Sequence, residues 1–321
     1  VSFGPVELVV PPGSGGTRLD RYVATALAVS RAEAQRWIGH GRVTLGGAPG
    51  QPSAPVRPGD RILVRPEAAA PTTALPDPSV ELQILHVDDL LVVIDKPAGL
   101  VVHPAKGHPA GTLVNGLLAR GLFGVEMGEG DVEGTEGTFQ RPGIVHRLDR
   151  GTTGVMVVAR TPAAREALKA QFQAHTIERA YLAIVVGEAV AGTHATLHGR
   201  DPRNRLRFTS RVREGKRAVT HVRVVERLAG ATLVECTLET GRTHQIRMHL
   251  SESGTPVLGD PLYGRTPRSP HLRDLAARLG HQALHARVLG FDHPATKRLV
   301  RFTSPPPADF LSAMEALRQL R

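Results

Sequence analysis

Arg141-Pro142-Gly143-Ile144-Val145-His146-Arg147-Leu148-Asp149-Arg150-Gly151-Thr152-Thr153-Gly154-Val155-Met156-Val157-Val158-Ala159 is the stretch on which the fold turns. Residues 155–159 form an apolar, largely β-branched run, which predicts a buried strand. Gly151, Thr152, Thr153 and Gly154 before it predict a tight turn. Asp149 therefore stands at a strand edge, in a short polar crossing between two apolar stretches. A carboxylate held there by rigid backbone can serve as a nucleophile, and an Asp that merely opens the turn fits the same pattern.

Outward from this segment, strand-like runs recur at residues 90–94, 181–186, 219–225, 232–238, 285–291 and 299–302. Helical patterns are fewer, at 112–119, 162–174 with Thr161 as the cap, 243–253, and the amphipathic 308–320. Strands joined by hairpins with helices around them predict an α+β fold, a predominantly antiparallel mixed sheet with peripheral helices. Near the N-terminus, residues 17–27 and 30–40 read as two short helices, the second opened by Ser30 with Glu33 in a capping-box spacing. Residues 43–45, the Gly46-Gly47 turn and residues 61–64 add strands, making a small α+β domain over residues 1–66. Residues 67–78, rich in Ala and Pro, predict a semi-extended linker between domains that move independently. Residues 79–321 form the larger domain. Within it, residues 124–137 are rich in Gly and Glu without apolar period and predict a mobile surface insertion.

The 321 residues carry a formal charge of +10, with 41% hydrophobic residues to build a core. Such a charge favours an acidic polymer as partner, because guanidinium groups neutralise phosphates and release counterions. Residues 1–66 hold eight Arg against four acidic residues, a net +4. Cys236 is the only cysteine, so neither an intrachain disulfide nor a thiolate metal cluster can form, and its alternating apolar neighbours mark it as a core residue. No apolar stretch is long enough to span a bilayer and the first residues lack a signal-peptide layout, so a cytoplasmic protein without membrane association is expected. His244 and His249, five apart on a predicted helix, point about 140° from each other and do not share a metal.

Four blocks together resemble the RluA-type pseudouridine synthases: His146-Arg147-Leu148-Asp149 followed by Thr152-Thr153-Gly154; Glu178-Arg179-Ala180-Tyr181-Leu182-Ala183; Thr240-Gly241-Arg242-Thr243-His244-Gln245-Ile246-Arg247-Met248-His249-Leu250; and Gly259-Asp260-Pro261-Leu262-Tyr263-Gly264. Val101-Val102-His103-Pro104 with Gly111-Thr112-Leu113-Val114-Asn115 is similar to the branch of large-subunit ribosomal RNA enzymes, synthase D. Arg18-Leu19-Asp20, Ser30-Arg31, Gly41-Arg42-Val43 and Pro58-Gly59-Asp60-Arg61-Ile62 resemble a small RNA-binding domain first seen in a ribosomal small-subunit protein. Gly46-Gly47 replaces the Asn usual in its hairpin.

The resemblance implies an isomerase that turns specific uridines of 23S RNA into pseudouridine, in the helix 69 loop, without a cofactor or a metal. Asp149 is then the catalytic residue. A nucleotide above it would favour the neutral acid by desolvation, and the resemblance assigns Arg242 as the arginine that pairs with it. Tyr181 is to stack on the base and relay a proton, Leu284 to pack against the base, and Arg147 to fill the place of the flipped nucleotide. Arg18, Arg21, Arg31, Arg36 and Arg42 are the RNA-binding candidates of the first domain. The expected partner is 23S RNA or a pre-ribosomal particle, with the enzyme a monomer. Two rivals remain at this point: a noncatalytic RNA chaperone of the same fold, or a synthase acting on other ribosomal or transfer RNA uridines. A glycosidase or nuclease lacks the second carboxylate that such chemistry usually needs.

Overall fold

The computed structural model describes residues 4–13, 15–27, 29, 31–66, 74–104, 108, 110–123 and 143–320. The capping box at Ser30 and the insertion at 124–137 lie outside these residues. The chain divides into two compact units, one ending at residue 66 and the other starting at 74 among the described residues.

The first unit contains β1 (Val6–Val9), α1 (Leu19–Ala26), α2 (Arg31–Gly39), β2 (Val43–Leu45), β3 (Ala48–Pro49) and β4 (Arg61–Val64). Its antiparallel sheet has the order β1-β4-β2-β3. Leu19 and Val23, one turn apart on α1, and Ala34, Trp37 and Ile38 on α2 pack on Val43, Ile62 and Val64. Gly46 and Gly47, at φ 59° and 85°, make the two-residue turn between β2 and β3; both conformations are left-handed, which the more usual Asn also tolerates. Asp20 is fully buried and receives Arg18 Nε and Nη2 (3.1 Å each), Arg31 Nε (3.1 Å) and Gln35 Nε2 (2.6 Å). Those donors hold its carboxyl well below the ordinary value although burial opposes them.

The second unit contains β5 (Gln83–Val87), β6 (Leu91–Lys96), α3 (Leu113–Ala119), β7 (Thr153–Ala159), α4 (Pro162–Ala174), β8 (Glu178–Val186), β9 (Gly192–Arg200), β10 (Phe208–Thr209), β11 (Lys216–Leu228), β12 (Ala231–Leu238), α5 (Gln245–Glu252), α6 (Pro270–Leu279), β13 (Leu284–Asp292), β14 (Leu299–Thr303) and α7 (Ala308–Gln319). Its sheet runs β10-β9-β11-β12-β8-β13-β7-β6-β5, with β14 on β13. Every pair is antiparallel except β13 with β7. Part of the expected linker belongs to this unit: Asn115 Nδ2 donates to the Leu75 carbonyl (2.7 Å) and the Asp77 N–H to the Asn115 carbonyl (3.0 Å).

The centre of this sheet is buried on both faces. Val92, Ile94, Met156 and Val158 join Leu113 and Leu117 of α3 in one core, while Leu91, Val93, Val155, Val157 and Ala159 join Ala164 and Leu168 of α4 in another. That two-sided burial is why residues 155–159 read as a continuous apolar run instead of an alternation.

Beside β7 the sheet changes partner. Thr153 and Gly154 lie opposite His285 and Ala286 of β13, but from Val157 onward the same edge is taken by the segment before Asp149. The Ala159 N–H donates to the Gly143 carbonyl (2.9 Å), Ile144 bridges Val158, and the Val157 N–H donates to His146 Nε2 (3.1 Å). Gly154 makes the junction possible: at φ 112°, a Cβ there would stand 2.2 Å from the Ala286 carbonyl oxygen.

Candidate active site

Asp149 leaves this junction in a turn closed by the Thr152 N–H donating to the Asp149 carbonyl (3.0 Å). Three side chains fix the turn. His146 accepts a strand N–H and stacks on Phe172 at 4.7 Å; burial, aided by the Arg179 charge, pushes it down to about 3, so it is a neutral acceptor. Thr152 Oγ1 accepts from Gln282 Nε2 (3.0 Å). Lys96, fully buried at the end of β6, donates from Nζ to the carbonyls of Pro97 (2.8 Å), Leu100 (2.9 Å) and Arg150 (3.1 Å), stapling the residue after Asp149 to the loop after β6. Burial pushes this amine down to about 7, against the attraction of Asp149.

The carboxylate of Asp149 receives Arg247 Nη1 at 2.8 Å on Oδ2. The other edge of the same guanidinium is bidentate on Asp260, Nε to Oδ2 at 2.7 Å and Nη2 to Oδ1 at 2.9 Å. Asp260 has no exposed side-chain surface and also accepts the N–H groups of Leu262 and Tyr263, each at 2.9 Å. Burial alone would lower the guanidinium of Arg247, but its bonds to Asp260 and the charge of Asp149 raise it above the usual arginine value. The result is a cation locked in place by one buried carboxylate and offered to another.

Arg242 is therefore not the arginine on Asp149. Its Nε donates to the Arg217 carbonyl (3.2 Å) and its N–H to Gln245 Oε1 (3.0 Å), at the rim of the cleft. The physical reason is position. Arg242 lies in the loop before α5, whereas Arg247 is on the helix itself, where every residue from Gln245 to Ser251 is buried and a charge has to be paired.

Asp149, Tyr181, Leu284, Arg147 and Arg242 line one open cleft of about 360 Å³, with His244 and Arg247. Tyr181, on β8, pairs with Cys236 of β12 and Ala286 of β13, which places it mid-sheet beneath the cleft. Burial raises its phenol above the ordinary value; Arg179 opposes the shift and Asp149 adds to it. Leu284 is 4% exposed at the start of β13. Arg147 is exposed and makes no hydrogen bond or ion pair among the described residues. His244, the N-cap of α5 at φ 59°, puts Nε2 3.9 Å from Asp149 Oδ1. Arg179 donates to the Leu238 (3.3 Å) and Glu239 (2.8 Å) carbonyls and so steadies the loop that leads to α5.

The residues of the first unit do other work as well. Arg18 and Arg31 hold Asp20 while about half exposed, and Arg36 pairs with Glu33 at 3.1 Å. Arg21 and Arg42 are exposed. His249 bonds Thr220 Oγ1 and Thr196 Oγ1 (2.9 Å each), a buried structural role. Among the described residues no three His, Cys, Asp or Glu side chains are arranged to hold a metal, and no helix is long and apolar enough to cross a membrane.

Comparison with known proteins gives the family of the chain. Residues 90–252 match the family model for RNA pseudouridylate synthase, and residues 17–62 match the S4 domain. "Ribosomal large subunit pseudouridine synthase D" of Xanthomonas campestris is 42% identical over 98% of this chain and 92% of that protein. The protein of the same description from Pseudomonas aeruginosa is 43% identical over 97% of this chain and 95% of its own length. Among solved structures, human RNA pseudouridylate synthase domain containing 4 is 30% identical with a TM-score of 0.56, covering 74% of this chain and 93% of that one. With a matching family model over half of its length, near-full-length relatives and a catalytic unit of the same architecture, this chain belongs to the RNA pseudouridylate synthase family, the isomerases that convert uridine in RNA to pseudouridine.

Proposed function

We propose that this enzyme modifies uridines of large-subunit ribosomal RNA, in the helix 69 loop of 23S RNA, and that Asp149 is its catalytic carboxylate. The observation that carries the reading is the cleft in which Asp149 is oriented by Arg247 and faced by Tyr181 and Leu284. The descriptions of the relatives support the choice of ribosomal RNA.

The reaction breaks the bond from ribose to ring nitrogen 1, turns the base and rejoins it through carbon 5. No electrons are gained or lost, so carboxylate and proton-transfer chemistry suffice. The uridine leaves its stack at a cost of a few kcal/mol. Leu284 packs against the base in the cleft, and Arg147, unpartnered and planar, fills the vacated place in the RNA. Tyr181 stays a neutral phenol, so it acts at carbon 5 as a relay: its oxygen takes the carbon 5 proton as its own proton passes to solvent in the open cleft. Arg242, at the rim beside Arg217, meets the RNA backbone instead of Asp149. The first unit adds phosphate contacts through Arg18, Arg21, Arg31, Arg36 and Arg42. The enzyme works as a monomer in the cytoplasm, on 23S RNA or a pre-ribosomal particle. Mapping pseudouridine in ribosomal RNA from a strain lacking the chain tests the assignment: the helix 69 positions should revert to uridine, and their persistence would refute it.

A further inference from the structure

Beside Asp149 the cleft presents a hydrogen-bond donor that the isomerisation steps above leave unused. Tyr263 Oη accepts the Phe208 N–H at 2.7 Å and lies 3.1 Å from His244 Nδ1. Among the described residues the phenol has no other polar neighbour at hydrogen-bond distance, so its own proton goes to Nδ1. That fixes the tautomer: His244 carries its hydrogen on Nε2. The ring is held edge-on between Phe208 (centroids 5.8 Å apart) and Tyr263 (5.5 Å), and burial keeps it neutral. Nε2–H opens into the cleft without a protein acceptor in range, 3.9 Å from Asp149 Oδ1.

A donor and an acceptor at that separation are too far apart to bond each other, and they suit one atom that bonds both. With each contact at ~2.8 Å the two meet at an angle near 90°. The atom has to accept from Nε2–H and donate to the carboxylate, which is the property of a hydroxyl. On a uridine inside an RNA chain the base offers oxygens that only accept and a ring N–H that only donates, while the 3′ and 5′ oxygens are esterified. The 2′-hydroxyl alone does both. It also sits on the carbon next to the one whose bond to the base breaks.

We propose that His244, oriented by Tyr263, reads the 2′-hydroxyl of the target uridine and so selects ribose over deoxyribose at that position. This rests on the reading of Asp149 as the catalytic carboxylate. The test uses the full chain and two stem-loop RNAs that differ only in a uridine or a 2′-deoxyuridine at the target, and reads the ratio of their kcat/KM values. Because the ratio is measured within one preparation, partial misfolding does not affect it. Wild type should prefer the ribose target strongly. His244→Asn, which tolerates the left-handed backbone but falls short of the cleft, should shrink that preference about tenfold, mostly by slowing the ribose target. Tyr263→Phe should shrink it too, because the tautomer is no longer fixed. A preference unchanged in His244→Asn overturns the proposal, and if that variant turns over neither RNA, an unchanged preference in Tyr263→Phe does so. A ribose preference in wild type together with activity retained by Asp149→Asn would instead overturn the reading beneath it.

Discussion

Arg247 is bonded to two carboxylates at once, and the two bonds have different consequences. The bidentate pair with Asp260 is buried, so removing the guanidinium leaves a carboxylate with no exposed surface without its counter-charge, held only by the N–H groups of Leu262 and Tyr263. Arg247→Met should therefore cost about 3–5 kcal/mol in denaturant unfolding as well as most activity. Arg242→Ala touches only a carbonyl at the rim and should stay within about 0.5 kcal/mol of wild type. Equal stability losses in the two variants would mean that the arginines are not divided in this way. At Tyr181 the ring and the hydroxyl separate cleanly. Tyr181→Phe should keep RNA affinity and lose ~10²–10⁴ in rate, with RNA accumulating in which the new carbon–carbon bond has formed but the carbon 5 hydrogen is retained. Normal turnover would leave Tyr181 a packing role. The arginine that pairs with Asp149 is not legible in the chain, because Arg242 and Arg247 share one motif. Only the tertiary position of Asp260 selects between them.

At the scale of elements, β6 and β7 form the frame on which the Asp149 turn hangs, and Lys96 is its tie. Its folded value of about 7 lies below the ordinary 10.5, so between these values the unfolded chain binds a proton that the folded one does not. Stability from this group then rises with pH across that window, by at most about 1.4 kcal/mol per unit, and the charged amine burdens the fold below it. Unfolding free energies at pH 6.5, 8 and 9.5 should move in favour of wild type over Lys96→Met as pH rises. A difference independent of pH would show that the amine titrates normally. Elements with local signals are readable from the chain. For α4, Thr161 caps the Ala164 N–H at 3.2 Å, Pro162 opens the helix and His175 closes it at φ 59°. β9, with mostly exposed or half-buried positions and no apolar run, carries no such signal. α6 does carry one, Leu272, Leu275 and Leu279 between Ser269-Pro270 and Gly280, although it is absent from the helices expected from sequence.

For the whole molecule, each unit has a core of its own, so the first can be removed without unfolding the second. Its deletion should weaken RNA binding and flatten the dependence of log affinity on log salt by ~0.7–0.9 for each phosphate that the arginines no longer neutralise. An unchanged slope would mean that Arg18, Arg21, Arg31, Arg36 and Arg42 do not touch RNA. The division into a small and a large unit is visible in composition, but the expected linker is too long, because residues 74–78 are tied to the second unit through the backbone and side chain of Asn115. The central claim is that Asp149, oriented by Arg247, carries the isomerisation. Asp149→Asn keeps the shape of the side chain and removes its charge. Tritium release from RNA labelled at carbon 5 of uridine measures the consequence directly. The account predicts that the variant binds this RNA as wild type does and releases no tritium above background; release at a substantial fraction of the wild-type rate would contradict it.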